Sequence, residues 1–125
     1  MTDLVIEGAD RTPSIQCLFA LANIKLAGKS YPENTGKFYA PLMEWINQFF
    51  STENTLTVDI ELIYFNSSTS KFMLDLFESL EDFADDDGKN ITVNWRYDED
   101  NETMLEYGEE FEEDIEHIQF NLISL

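Results

Sequence analysis

Four hydroxyl side chains in a row, Ser67, Ser68, Thr69 and Ser70, are followed directly by Lys71, and no other segment has residue types and placement so well suited to covalent modification. They come after the strongest strand pattern in the chain, Leu56 to Phe65, and before a stretch of helical periodicity, so they sit where a strand ends and a helix begins. In open α/β sheets that edge is where ligands bind. The first turn of a helix carries unpaired backbone N–H groups and a partial positive charge, and both favour a phosphoryl dianion. Lys71 lies within that turn. The plainest structural role for the cluster is a helix cap, filled by Ser67 or Ser68. The two roles are compatible, because a capping hydroxyl can also accept phosphate.

The other chemistry-bearing types are less promising. Asp98 to Glu116 holds 11 of the 26 carboxylates and no Lys or Arg. As a calcium loop it would place Asp98, Asp100, Glu102 and Glu109 at positions 1, 3, 5 and 12, but the glycine required at position 6 is Thr103. A solvated helix face that repels unwanted partners fits it better. A small acidic metal-binding or carboxylate-dependent hydrolase domain is the alternative function that this stretch motivates. His117 has neither a Cys nor a second His near it to complete a zinc site. Cys17 alternates inward on a strand and reads as a small core residue. There is no phosphate-cradling glycine loop, no GxSxG elbow and no CxxC pair. No catalytic residue, cofactor or metal is expected.

The 125 residues carry 26 Asp and Glu against 7 Lys and Arg, a formal charge of −19. A field of that sign disfavours nucleic acid and anionic membranes. No apolar run approaches the roughly 20 residues of a membrane span, and MTDLVIEGAD lacks the basic and apolar regions of a signal peptide. Ten Phe, five Tyr and two Trp supply a core that a disordered acidic chain lacks. The composition reads as one soluble, cytoplasmic domain over residues 1–125, without direct membrane insertion.

The elements that must position the hydroxyls follow from periodicity. Leu4 to Ile6, Ile15 to Phe19 and Ile24 to Leu26 read as three extended pieces separated by short turns. From Asn34, a candidate N-cap, Phe38, Leu42, Trp45, Ile46 and Phe49 share one helical face. Pro41 conflicts with that helix unless it kinks or starts there, and Phe38 favours the longer one. Leu56 to Phe65 reads as a strand apolar on both faces at its far end, as expected inside a doubly covered sheet. Phe72 to Phe83 gives a second helix. Ile91 to Trp95 gives a strand, and Met104 to Ile115 a weaker helix interrupted by Gly108. Ile118 to Leu122 gives a last strand. The order βββ-α-β-α-β-α-β predicts an α/β fold with a mixed sheet and about three helices.

Three segments together resemble the SiaC family of bacterial regulatory phosphoproteins. They are Ser30-Tyr31-Pro32-Glu33-Asn34, then Tyr64-Phe65-Asn66-Ser67-Ser68 with Lys71, then Trp95 to Asp100 with Met104-Leu105-Glu106, behind a Thr12-Pro13 opening. The resemblance implies a non-catalytic switch with a STAS-like α/β fold. It implies phosphorylation on one hydroxyl by a GHKL-type kinase and removal by a PPM-type phosphatase. The unphosphorylated form would bind and activate a GGDEF diguanylate cyclase, feeding c-di-GMP and biofilm signalling. The family's acceptor directly follows the YxN asparagine. Here that residue is Ser67, where the family often has Thr, and Ser68 and Thr69 are the alternatives. Partner contacts are expected from Tyr31, Pro32, Glu33, Asn34, Asn66, Ser68, Lys71, Asp98, Glu99 and Asp100. A phosphate adds roughly −1.5 to −2 charges at pH 7, so a surface docked over the acceptor would meet a dianion instead of a hydroxyl.

Overall fold

The computed structural model describes residues 1–125. Alternating and helical periods resolve into β1 (Leu4–Ile6), β2 (Ser14–Leu18), β3 (Asn23–Ser30), α1 (Thr35–Phe50), β4 (Thr55–Phe65), α2 (Ser67–Asp87), β5 (Asn90–Tyr97), α3 (Glu102–Glu113) and β6 (Gln119–Ser124). The expected order is the observed one. All six strands form one sheet in sequence order. β1, β2 and β3 are antiparallel neighbours, and β3 to β6 run parallel, joined by the three helices. Each crossover moves one strand in the same direction. Right-handed connections therefore put every helix on the same face.

The sheet thus has one covered face and one open face. Ile24, Leu26, Val58, Ile60, Val93 and Trp95 point under the helices and belong to a single core of 26 buried residues. Their alternates on the open face are polar and bridge one another across the strands. Asn23 Nδ2 donates to Asp59 Oδ2 at 3.0 Å, Asn94 Nδ2 to Asp59 Oδ1 at 2.8 Å, and Asn121 Nδ2 to Asn94 Oδ1 at 3.0 Å. The expectation that β4 is buried on both faces is therefore corrected: Ile63 is 57% and Tyr64 51% exposed. One face of the sheet carries no helix, and a bulge accounts for the apolar residues of both phases at this end of β4. Gly28 pairs with Leu62 but Lys29 pairs with Tyr64, so Ile63 is an extra residue on β4. Gly28 sits opposite at φ +114°, a conformation that other residues rarely adopt.

Two helix expectations also change. α1 runs through Pro41 from the Asn34 cap, as Phe38 indicated; Phe38 packs partly buried against the core, and the fully buried stripe also takes in Tyr39, which the periodicity does not include. The Tyr39 ring stacks on Phe72 at 4.0 Å, and its hydroxyl meets Ser30 Oγ at 2.6 Å. Gly108 does not interrupt α3. It is buried against the sheet, where an added Cβ would come within 2.6 Å of both Trp95 and Leu122.

The far end of α2 is clasped to the start of β6. Glu81 accepts the backbone N–H groups of Glu116 and His117 at 2.8 Å each, and His117 Nδ1 lies 2.9 Å from the same carboxylate. Partial burial opposes ionisation of Glu81, but these hydrogen bonds together outweigh it and hold the carboxyl below its ordinary 4.5. Hydrogen bonding to Glu81 raises His117 above its ordinary 6.5, aided by the charge of Asp85. The His117 contribution is complete below pH 6.5 and is lost as the pH rises through the higher folded value. The Glu81 contribution is complete above pH 4.5 and is lost as the pH falls through the lower folded value. The clasp is therefore strongest between pH 4.5 and 6.5. An NMR titration should place the His117 midpoint above 6.5, and His117→Gln should flatten the fall in stability above that pH. A midpoint at or below 6.5 would rule out the imidazole's part in the clasp.

Candidate functional site

The carboxyl ends of β3, β4 and β5 lead into the N-termini of α1, α2 and α3, so the three loops share one rim of the sheet. Each helix starts in the same way. The side-chain oxygens of Asn34, Asn66 and Asn101 accept from the backbone N–H groups of Lys37, Thr69 and Met104 at 3.0, 3.0 and 3.2 Å. Asn satisfies one of the unpaired donors that every first turn leaves over. The α2 cap is therefore Asn66, not Ser67 or Ser68. A helix cap can be any of Asn, Ser, Thr or Asp, and a run of N-S-S-T contains four of them. Only Asn66 has the extended backbone the position needs, with φ −89° and ψ 178°.

That one-residue shift separates the hydroxyls. Ser67 becomes the first residue of α2; it is exposed and its hydroxyl is committed to no hydrogen bond. Ser68 is exposed but engaged, donating to Asn66 Oδ1 at 3.0 Å and lying 2.7 Å from the Thr35 hydroxyl. This second contact holds the first turns of α1 and α2 side by side. Thr69 is fully buried. Its Oγ1 donates to the Ser30 carbonyl at 3.1 Å and lies 2.9 Å from Ser30 Oγ, which continues to Tyr39. Thr69 is withdrawn as an alternative acceptor, because no kinase reaches a hydroxyl sealed under the first turn. Burial pushes the Tyr39 pKa up to about 12 and outweighs the Ser30 contact, which acts in the opposite direction. Thr69→Val should cost about 1–3 kcal/mol, since it strips a buried polar chain of one partner. Urea denaturation at neutral pH checks it, and a change within 0.5 kcal/mol would show that the chain carries no stability.

The other expected contact residues divide by what they already do. The Tyr31 ring meets the exposed Tyr64 ring edge-on at 5.6 Å beside the bulge. Pro32 is buried, so it anchors the loop rather than presenting a surface. Asn34 and Asn66 are occupied as caps. Glu33 is exposed and lies 3.7 Å from Arg11 across open solvent, a pair worth little. Lys71 is exposed, sits one helical turn after Ser67 and takes part in no ion pair. Asp98 folds its own loop, accepting the Asp100 N–H at 2.9 Å and the Asn101 N–H at 2.8 Å, and leaves Glu99 and Asp100 exposed. Asn101 Nδ2 reaches the Ile63 carbonyl at a long 3.4 Å, which ties this loop to the bulge. The three sequence blocks thus meet at one rim.

Cys17, the sole thiol, is fully buried in the core, and burial with the nearby charge of Asp3 pushes its pKa up to about 12. Elsewhere, no three His, Cys, Asp or Glu side chains converge to hold a metal ion. No helix is long and apolar enough to cross a membrane.

A family model described as SiaC family regulatory phosphoprotein matches residues 6–125. The chain belongs to this family. SiaC of Pseudomonas aeruginosa superposes on it with a TM-score of 0.90 at 32% identity, over the whole of both chains. The SiaC solved in complex with the diguanylate cyclase SiaD, of which it is the activator, superposes at 0.91 with 33% identity, covering 98% of this chain and 100% of that one. An uncharacterised protein of Pseudomonas aeruginosa strain UCBPP-PA14 is 36% identical over 115 residues, 91% of this chain and 90% of that protein. SiaC family members are regulatory phosphoproteins, and in this SiaC family chain the exposed Ser67 stands at the head of α2.

Proposed function

We propose that this chain is a non-catalytic cytoplasmic switch that binds and activates a GGDEF diguanylate cyclase while Ser67 is free and releases it once Ser67 is phosphorylated. A GHKL-type kinase and a PPM-type phosphatase set the phosphorylation level. Similarity over nearly the whole chain to a SiaC that activates a diguanylate cyclase supports the partner. The observation that carries the acceptor is the division of labour among the hydroxyls: Ser67 is exposed and uncommitted while Ser68 and Thr69 are engaged. A phosphate on Ser67 would meet the free N–H groups of the α2 first turn, with Lys71 one turn away as its counter-charge. Tyr31, Glu33, Ser68, Lys71, Glu99 and Asp100 form the contact surface, which Pro32, Asn34, Asn66 and Asp98 hold in shape.

The test is reconstitution. With a cognate GGDEF protein and GTP, the unmodified chain should raise c-di-GMP output at least tenfold. Incubation with the kinase and ATP should remove that effect, with the added mass mapping to Ser67 by mass spectrometry. A label confined to residues outside 67 and 68, or an unchanged cyclase rate with unmodified chain, would overturn the assignment.

A further inference from the structure

α2 shows solvent one continuous stripe in which Ser67, Lys71, Leu74, Glu78, Asp82 and Asp85 follow at steps of three or four. Its second half borders a cleft of about 500 Å3 between α2 and the end of α3. The floor is apolar. Leu74 is 50% exposed, Ile115 lines the far side, and between them the Phe77 and Phe111 rings meet edge-on at 5.3 Å. The banks are acidic: Glu78, Asp82 and Asp85 on one side, Asp114 and Glu116 on the other, with no Lys or Arg in the lining. Glu81 and Asp85 are already held by the two ring nitrogens of His117, at 2.9 and 3.3 Å, so Glu78, Asp82, Asp114 and Glu116 carry the unpaired charge.

An apolar floor between like-charged banks selects its occupant. Another acidic surface, including a second copy of this chain at −19, is repelled. A single cation does not serve either, because the carboxylates are strung out along the helix and no three converge. The matching charge must be spread along a segment that also carries an apolar face. From Leu74 to Asp85 the cleft runs about 16 Å, the length of three helical turns. We propose that this cleft is a second docking site, which takes an amphipathic helix flanked by Lys or Arg whether or not Ser67 carries phosphate. The independence follows from distance. Leu74, at the near end of the cleft, lies about 10 Å along the helix from Ser67, and the nearest bank charges, Glu78 and Asp82, about 16 and 22 Å, beyond the roughly 8 Å over which charges act in physiological salt.

The probe is a synthetic 18-residue peptide with leucines at helical spacing and arginines on both flanks, set against a scrambled peptide of the same composition. Titrated into the full chain, the patterned peptide should perturb amide signals at Leu74, Phe77, Phe111 and Ile115. It should also bind at least tenfold tighter than the scrambled one. Leu74→Glu, at an exposed position, and the double variant Glu78→Lys with Asp82→Lys should each weaken it at least tenfold. The chain carrying phosphoserine at position 67 should bind within twofold of the unmodified one. Equal binding of both peptides, or signals scattered over the acidic surface, would reduce the effect to bulk charge and overturn the site. A dependence on phosphoserine of fivefold or more would overturn its independence.

Discussion

Phosphate on Ser67 is expected to weaken cyclase binding by about 100-fold or more, roughly 3 kcal/mol, while Ser67→Ala leaves it within about threefold. Two effects add. A partner covering the rim desolvates whatever stands at the head of α2, and burying a dianion there costs several kcal/mol unless it is paired. One lysine one turn away offers a single positive charge against nearly two negative ones. In the free chain the same phosphate is favoured, because the first turns of α1 and α2 lie together through the Thr35 and Ser68 hydroxyls and present two helix N-termini. The modification would thus stabilise the unbound state and penalise the bound one. Calorimetry with the unmodified, phosphorylated and Ser67→Ala chains measures all three affinities, and Ser67→Asp should fall between them as an imperfect mimic. Phosphorylated and unmodified chains binding alike would remove the switch.

Gly108→Ala is expected to destabilise the fold by about 1–3 kcal/mol, although glycine inside a helix ordinarily costs about 1 kcal/mol relative to alanine. Propensity alone predicts a gain. The contact geometry reverses the sign, since the new methyl would lie 2.6 Å from Trp95 Cδ1 and 2.6 Å from Leu122 Cδ2. Leu122 is a flexible side chain that has room to shift. Trp95 is fixed: its Nε1 donates to the Met104 carbonyl of α3 at 2.8 Å, and its ring is wedged among Phe65, Phe111 and Phe120. α3 would have to lift from the sheet. Thermal denaturation should show a midpoint lower by roughly 5–15 °C. A midpoint at or above that of the parent chain would mean that α3 is not seated as described.

The nine elements are legible in the sequence because the apolar period switches cleanly between two and 3.6, and because Gly, Asn and Pro mark most joints. What is not legible depends on partners distant along the chain. Thr69 looks like its neighbours until Ser30, 39 residues earlier, is brought against it. Gly108 looks like a helix breaker until Trp95 and Leu122 are placed beneath it. Ile63 and Phe65 read as evidence of double coverage because an extra residue on β4 cannot be seen without the register of β3. At the rim, Ser67 is singled out as the expected acceptor only by the resemblance, from its position after Asn66. The hydroxyl pattern alone left the cap and the acceptor confounded, since Asn and Ser are equally good caps.

The bulge at Ile63 also limits how portable the acceptor segment is. Before it, even-numbered β4 residues face the helices; after it, the odd-numbered Phe65 does, and this phase brings Asn66 round to open α2. Transplanting Tyr64 to Ser68 into another parallel sheet without the inserted residue would turn the aromatic pair over and aim the serine at the wrong side of the new helix. The smallest transferable unit is therefore a two-strand cassette, with Gly28 on one strand and Ile63 on the other, rather than the peptide that a kinase would recognise.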